Sequence, residues 1–365
     1  MMKVDFESVA KKIVNKCMRV KEGEVIVVRG GIHNFELAEK IAVNVRKKGA
    51  FVLFQTYSDE LTRRMYQEVP IKYLKKTPKF WLKWYEDVDG AISIDPTCDP
   101  RSLSAVSENR MGAAREGLRK VQDKFIQEEI RWTGMGYPTK ELAATFGVPY
   151  AQFWDMFWSA VNVNYDKLYE RGKTIAKAFK GADKVHLTSK KGTDLTFSVK
   201  NRKPLIDDGV ISPEDIRNKD VGNNLPCGEV FFPPVETSAN GRAVFDLAFR
   251  KGKRIEDIDV TFKRGRIVKA KAKKNEKLFK EVLKNSQGDK DRIGEFGIGI
   301  NPKVKKAIGY VITDEKIIGT IHIAVGENRM FGGKNESTLH WDMVMMKPDI
   351  EVDGKRIMSN GKFLI

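Results

Sequence analysis

Five side chains of types that bind metal ions lie in the last third of the chain. They stand in glycine-rich or strand-like contexts and comprise two glutamates, two histidines and an aspartate: Glu229, Glu295, His322, His340 and Asp342. Only four histidines occur in 365 residues, and two of them belong to this set. Carboxylate oxygens mixed with imidazole nitrogens suit zinc or cobalt better than magnesium, which prefers oxygen ligands. The residue types therefore predict a metal enzyme.

Strand geometry supports grouping these side chains. Residues i and i+2 of a β-strand point to one face, so His340 and Asp342 are expected to project together. The alternating segment 320–326 places His322 on the same face as Thr320 and Ala324, whose small size leaves room for an ion. A single His or Glu on a strand is more simply explained as a hydrogen-bonded polar residue. Five such residues late in one chain favour a common site.

Several segments resemble landmarks of the thermophilic aminopeptidase family, the M29 metallopeptidases. The similarity is most specific in the C-terminal half, in residues 224–231, 238–241, 294–299, 314–322 and 332–342. Weaker similarity in residues 136–139 and 191–197 extends the resemblance over most of the chain. The resemblance implies an exopeptidase that removes N-terminal amino acids from short peptides with a free N-terminus. It also implies a homodimer in which domains and subunits enclose the active site.

In that family two zinc or cobalt ions are held by two glutamates, two histidines and an aspartate. The residues of this chain that match the family's ligand motifs are Glu229, Glu295, His322, His340 and Asp342. Glu295 is expected to bridge the ions, since the glycines around it permit close backbone approach. Two ions would activate a shared water and polarise the scissile carbonyl. A nearby carboxylate would act as general base, and both Glu229 and Glu295 remain candidates.

One position departs from the family pattern. The family places a tyrosine a few residues after the histidine that corresponds to His322, whereas residues 326–331 contain none. Asn328 takes its place in our interpretation. Its amide could donate a hydrogen bond to an oxyanion, and Arg329 could add positive charge. The change could equally indicate altered substrates or a different reaction.

A second reaction class is compatible with the same residues. Ring-cleaving dioxygenases that act on dihydroxypyridines resemble this scaffold and use one iron ion. Two histidines and one carboxylate, here His322, His340 and Asp342, would satisfy that metal. The presence of Glu229 and Glu295 favours two ions and hydrolysis.

The length and the hydrophobic patterns predict an α/β protein with two domains. An N-terminal parallel-sheet α/β domain is expected over residues 1–180. It contains a βαβ unit with strands at 24–30 and 50–56 and a helix at 34–46, and a further strand at 90–95. Residues 100–180 are expected to be helical. A β-rich α+β metal-binding domain is expected over 181–365, with hairpins around residues 192, 265 and 354.

The composition excludes several other classes of protein. The formal net charge of +17 is densest in residues 250–284, which hold 14 Lys or Arg and 5 Asp or Glu. No nucleic-acid-binding motif accompanies this charge, so we expect a solvated surface and no specific nucleic-acid binding. Three cysteines without a repeating spacing argue against a disulfide framework. No apolar run approaches the ~18–20 residues that a membrane span requires. These features predict a cytoplasmic enzyme.

Overall fold

The computed structural model describes residues 1–365. Its strands, in chain order, are β1 (Val25–Gly31), β2 (Phe51–Tyr57), β3 (Gly90–Ile94), β4 (Arg131–Met135), β5 (Lys184–Thr188), β6 (Asp194–Ser198), β7 (Leu205–Asp207), β8 (Gly222–Leu225), β9 (Glu229–Phe232), β10 (Asn240–Arg250), β11 (Lys253–Lys263), β12 (Arg266–Lys274), β13 (Ile293–Gly299), β14 (Ile321–Gly326), β15 (His340–Met345), β16 (Asp349–Val352), β17 (Lys355–Ser359) and β18 (Lys362–Phe363).

Nine of the twelve α-helices lie within the first 180 residues, and three follow. In order they are α1 (Phe6–Lys12), α2 (Phe35–Lys47), α3 (Asp59–Glu68), α4 (Ile71–Leu74), α5 (Lys79–Trp84), α6 (Glu108–Gln127), α7 (Lys140–Phe146), α8 (Tyr150–Val161), α9 (Tyr165–Ala178), α10 (Pro213–Arg217), α11 (Glu276–Lys284) and α12 (Val311–Asp314). None of these helices combines the length and apolar character needed to cross a membrane.

The first sheet is parallel and has the strand order β2-β1-β3-β4-β8. The apolar run of β1 forms a central strand, while α2 buries Leu37, Ile41 and Val45 at helical spacing. This arrangement confirms the predicted βαβ unit and the strand near residue 90. The expectation that residues 100–180 are helical is wrong at β4. That strand has only five residues and begins with the buried Arg131, which pairs with Glu24 at 2.5 Å, so it lacks the continuous apolar run that indicates a buried parallel strand.

The second sheet has thirteen strands, and its pairs are antiparallel. The predicted hairpins are confirmed: β5 pairs with β6, β11 with β12, and β16 with β17. On one side of this sheet, Phe232 of β9 and Phe296 of β13 pack with ring centroids 5.5 Å apart. Phe179 and Phe197 complete the aromatic cluster. This packing holds β9 and β13 in fixed register, so side chains on their other face have defined positions. The α/β fold with a parallel-sheet part and a β-rich part is confirmed.

The chain folds into two compact units, each made of two segments. Unit 1 comprises residues 1–162 and 209–227, and unit 2 comprises residues 163–208 and 228–365. The parallel sheet belongs to unit 1, which includes β8, and the thirteen-stranded sheet belongs to unit 2. The domain boundary near residue 180 stays a prediction, and α9 before it belongs to unit 2.

Candidate metal centre

The strand register of unit 2 brings the five predicted ligands together. Adjacent strands of the sheet run in the order β15-β14-β13-β9, and each carries at least one of the five. Asp342 of β15 lies opposite Ala324, which in turn lies opposite Glu295. His322 lies opposite Gly297 two pairs along, and therefore on the same face of the sheet. The predicted placement of these side chains on one strand face accounts for their convergence.

Residues without large side chains separate the ligands on this face. Gly297 pairs with His322, Ala324 with Asp342, and Gly326 with His340. A Cβ added at Gly297 would lie 2.1 Å from the His322 ring atoms Cε1 and Nε2. Since real Cβ atoms do not approach a neighbour that closely, only glycine at this position leaves space for the imidazole.

The ligand atoms lie within a few ångströms of one another. His322 Nε2 is 3.1 Å from Glu295 Oε1 and 3.4 Å from Glu229 Oε2. His340 Nε2 is 3.3 Å from Glu295 Oε2 and 3.5 Å from Asp342 Oδ2. The two oxygens of Glu295 therefore face different histidines. This geometry suits the bridging position that the sequence predicts for Glu295.

The unpaired polar atoms of the site fit a cation. Glu229 Oε2 and Asp342 Oδ1 are buried and have no hydrogen-bond partner. A buried polar atom without a partner is costly, and a metal ion supplies what such oxygens lack. His340 Nδ1 lies 2.8 Å from the Glu327 carbonyl oxygen, so it can donate its proton there. That bond leaves the Nε2 lone pair facing the carboxylates, as in metal-binding histidines.

Ligand-type side chains form two adjacent groups, and one includes a residue that sequence reasoning missed. Glu295, His340 and Asp342 form one group, and Glu229, Glu315 and His322 form the other. Within each group the ligand atoms lie within 4.8 Å of one another. Glu315 follows α12 in an irregular segment, so strand alternation gave no reason to choose it. Its only signal was its place in the family-like segment 314–322.

Two further charged residues of the site were also missed. Lys316 is fully buried, and its Nζ lies 2.5 Å from Glu229 Oε1 and 3.6 Å from Asp207 Oδ2. Asp207 of β7 pairs in register with Glu229 of β9, which explains their proximity. The pairing could not be read from the sequence because β7 has only three residues.

Asn328 lies buried in the loop after β14. Its Nδ2 donates to the Gly294 carbonyl at 3.0 Å and to Glu236 Oε1 at 3.4 Å, while its Oδ1 accepts from the Asn335 backbone at 2.8 Å. These bonds fasten the loop to the start of β13. Both amide hydrogens have acceptors, so binding an oxyanion would require one of these bonds to be exchanged. The catalytic role of Asn328 stays a prediction.

Glu327 connects the same loop to the candidate ligands. Its carboxylate accepts from Arg329 Nε at 2.7 Å and Nη2 at 2.8 Å, so the charge of Arg329 is balanced locally. Its backbone carbonyl faces His340 Nδ1, as described above. Glu327 therefore helps to orient His340, and sequence patterns gave no indication of this contact.

The closely spaced carboxylates and their burial shift the pKa values of the histidines and of Glu315. Burial would lower the pKa of His322, but its bonding to Glu295 and the charge of Glu229 outweigh burial and raise it to about 9. His340 has a side chain that is 35% exposed, and the neighbouring carboxylates of Asp342 and Glu295 raise its pKa well above its usual value. Burial raises the pKa of Glu315 to about 8. Without metal ions, His322, His340 and Glu315 therefore bind protons more tightly than they would in water.

We expect the chelated protein to lose stability as the pH rises from about 6.5 to 9. The folded chain keeps a proton on His322 up to its raised pKa of about 9, whereas the unfolded chain releases it near the usual 6.5. The folded state then binds more protons, so this contribution is complete below about pH 6.5 and is lost as the pH approaches 9. Glu315 acts in the same direction up to about pH 8.

Thermal unfolding of chelated protein across this pH range measures the effect, with zinc-loaded protein as the control. Bound zinc requires the imidazoles to be unprotonated, so the loaded protein should not show the same decline. A melting temperature that stays constant in the chelated protein would contradict the raised proton affinity.

Comparison with known protein families gives a match over nearly the whole chain. A family model described as thermophilic metalloprotease (M29) matches residues 2–363. Aminopeptidase AmpS of Bacillus subtilis (strain 168) is 24% identical, covering 97% of this chain and 94% of that protein. Aminopeptidase T of Thermus thermophilus is also 24% identical, covering 96% and 95%.

Two solved structures are similar to this fold. Wild-type AmpT from Thermus thermophilus has a TM-score of 0.78 at 19% identity and covers 99% of both chains. The 2,5-dihydroxypyridine dioxygenase from Pseudomonas putida KT2440 has a TM-score of 0.61 at 14% identity, covering 99% of this chain and 98% of that one. At these identities both structures establish a shared fold.

Proposed function

Because the chain belongs to the M29 family of thermophilic metalloproteases and is a metal-dependent aminopeptidase, we propose that it hydrolyses short peptides by means of two divalent ions. Zinc and cobalt suit the donor set best. The proposed ligands are Glu229, Glu295, His322, His340 and Asp342. Family membership and the curated relatives favour this reading over the one-iron dioxygenase.

Charge balance is the observation that carries the two-ion proposal. Asp207, Glu229, Glu295, Glu315 and Asp342 have side chains at most 12% exposed, and Lys316 is fully buried among them. Metal binding would displace the protons held by His322, His340 and Glu315, and five carboxylates with one ammonium would then leave four net negative charges for the ions to balance. Uncompensated charges of this number are not stable in a protein interior. Two divalent ions would neutralise the cluster, whereas one would leave half of the charge.

The residues of the site would have different roles in peptide hydrolysis. Two bound divalent ions would lower the pKa of a water molecule and polarise the scissile carbonyl. Glu295 would hold the two halves of the site together, because its oxygens face both histidines. The general base is Glu229 or Glu295, since both carboxylates lie beside His322 Nε2. The negative charge of the cluster would also attract the free ammonium group of a peptide.

Amino-acid release from unblocked and N-acetylated short peptides tests the proposal. We expect chelation to stop release and Zn²⁺ or Co²⁺ to restore it, with two ions per chain by elemental analysis. N-acetylated peptides should not be cleaved, because acetylation removes the ammonium group. Full activity with one ion per chain would overturn the two-ion mechanism, and equal cleavage of both peptide series would overturn recognition of the free N-terminus.

The assembly and location of the enzyme stay predictions. We propose the homodimer implied by the family resemblance. Phe51 and Phe54 are exposed on β2, which is one of the two edge strands of the parallel sheet, and they offer apolar surface for such a contact. The aromatic residues of α8, in contrast, pack in the interior of unit 1.

A further inference from the structure

Two partly exposed phenylalanine rings lie beside the candidate metal centre and belong to neither group of ligand-type side chains. Phe231 follows Glu229 by two residues on β9, so both side chains point to the same face of the sheet. Phe331 ends the short turn Arg329–Phe331, and its ring centroid lies 5.6 Å from that of Phe231. The same ring lies 5.9 Å from the imidazole of His340. One aromatic surface therefore extends from β9 to a candidate ligand.

The strand register places Phe231 beside the other candidate histidine as well. Phe231 pairs with Gly297 of β13, and Gly297 pairs in turn with His322 of β14. The imidazole of His322 lies over Gly297, because a Cβ added there would come within 2.1 Å of its ring atoms. His322 therefore leans toward β9, and no side chain of Gly297 separates it from Phe231. The two phenylalanines together border both imidazoles of the centre.

Solvent reaches the centre on the side where Phe331 lies. The side chain of His340 is 35% exposed, whereas that of His322 is 1% exposed. Phe331 packs edge-on against the exposed imidazole and is itself partly exposed. A peptide that enters from solvent therefore meets His340 and the Phe331 ring before it reaches the buried carboxylates.

Bonds to Asn328 hold the turn that carries Phe331. The Asn328 carbonyl accepts from the backbone amides of Phe331 at 3.4 Å and of Gly333 at 2.9 Å. Its side chain accepts from the Asn335 backbone at 2.8 Å and donates to the Gly294 carbonyl at 3.0 Å. The turn is thereby fastened to the start of β13. A surface that selects substrates needs such support, because its rings must keep their positions when the substrate binds.

An apolar surface at this place is nearest to one part of a peptide substrate. In the proposed hydrolysis the free ammonium group and the scissile carbonyl both lie at the metal centre. A single Cα atom joins these two groups, and it carries the first side chain of the peptide. The second side chain begins beyond the scissile nitrogen. Aromatic rings bind an aliphatic or aromatic side chain favourably, whereas a polar side chain loses water there without gaining a hydrogen bond.

Resting on the two-ion hydrolysis proposed above, we propose that Phe231 and Phe331 form the specificity surface for the first residue of the peptide. The enzyme selects peptides that begin with leucine or another aliphatic or aromatic residue over peptides that begin with a polar residue of similar size. Removing either ring reduces this selection without removing a metal ligand.

Paired peptides measure the selection at each position of the substrate. Leucine and asparagine have similar shapes and differ in polarity, so the ratio of kcat/KM for Leu-Ala-Ala to that for Asn-Ala-Ala reports the apolar contact of the first residue. We expect a ratio of at least about 10 for the zinc-loaded wild-type protein, since one methylene group in an apolar pocket is worth about 10–200-fold. Phe331→Ala should reduce the ratio at least about 5-fold, because the ring supplies much of a partly exposed surface. Phe331→Leu, which keeps an apolar side chain, should retain most of it.

Controls separate loss of the surface from loss of the metal centre. Elemental analysis and circular dichroism establish that the Phe331→Ala protein keeps its ions and its fold, and Phe231→Ala provides the same test if it does not. Phe80→Ala removes a ring of α5 that is 67% exposed, and it should leave the ratio unchanged.

The outcomes distinguish this inference from the proposed function. Equal kcat/KM of the wild-type protein on the two peptides would overturn the inference, as would a ratio that persists in the folded, metal-loaded variant. An effect confined to the second residue, measured with Ala-Leu-Ala and Ala-Asn-Ala, would also overturn it. Absence of metal-dependent release from all four peptides would instead overturn the proposed peptide hydrolysis.

Discussion

Replacing Glu295 with glutamine is expected to reduce kcat/KM at least about 100-fold and to release at least one ion. Glu295 Oε1 lies 3.1 Å from His322 Nε2, and Oε2 lies 3.3 Å from His340 Nε2. Glutamine keeps the shape but replaces one oxygen with an NH₂ donor and removes the charge. Loss of an outer-shell partner of a metal ligand commonly costs about 10–100-fold, so loss of a bridging ligand should cost no less.

Two measurements separate the possible results. Elemental analysis counts the ions per chain, and initial rates on an unblocked peptide give kcat/KM. Glu351→Gln is the matched control, because this surface glutamate pairs with Arg356 at 2.8 Å and has no contact with the candidate site. A Glu295→Gln protein that keeps two ions and the wild-type rate would show that Glu295 does not bridge.

The periodic parts of the fold are those that the sequence predicted well. The apolar run of β1 and the helical spacing of α2 led directly to the βαβ unit, since both are long and regular. β4 was missed because a tertiary contact with Glu24 determines the burial of its Arg131. A five-residue strand whose burial depends on a distant carboxylate has no local pattern to reveal it.

The same distinction applies to the candidate site. The alternation of His340 with Asp342, and of His322 with its small neighbours, predicted side chains on one strand face, and the structure brings them together. Glu315 and Lys316 lie outside regular strands, so alternation could not place them. Their position depends on contacts between the segment after α12 and the end of β13.

Asn328 illustrates a further limit of sequence reasoning. Its residue type allows it to donate a hydrogen bond, and its place after His322 suggested a catalytic role. The sequence did not reveal that the Gly294 carbonyl and Glu236 already accept its two amide hydrogens. Donor capacity can be read from residue type, whereas its use depends on the whole hydrogen-bond network.

A single methyl group at Gly297 is expected to disrupt the metal centre without changing any ligand. In the Gly297→Ala protein the new Cβ would lie 2.1 Å from His322 Nε2, the nitrogen that faces Glu229 and Glu295. The imidazole must move, or the two strands must separate. Overpacking of this kind costs about 1–3 kcal/mol of folding free energy. Displacement of a ligand should also weaken metal binding at least about 10-fold.

The decisive comparison is the stabilisation that zinc provides to each protein. Wild-type protein should unfold at a higher temperature when zinc is added, because binding to the folded state stabilises it, and Gly297→Ala should lose most of this gain. Gly181→Ala is the control, since its added methyl group has nothing within 4 Å and only the cost of its φ of +75° remains. If Gly297→Ala were less stable but kept the full zinc-dependent gain, the methyl group would be disturbing packing alone. That result would show that His322 keeps its position in the site without a glycine at residue 297.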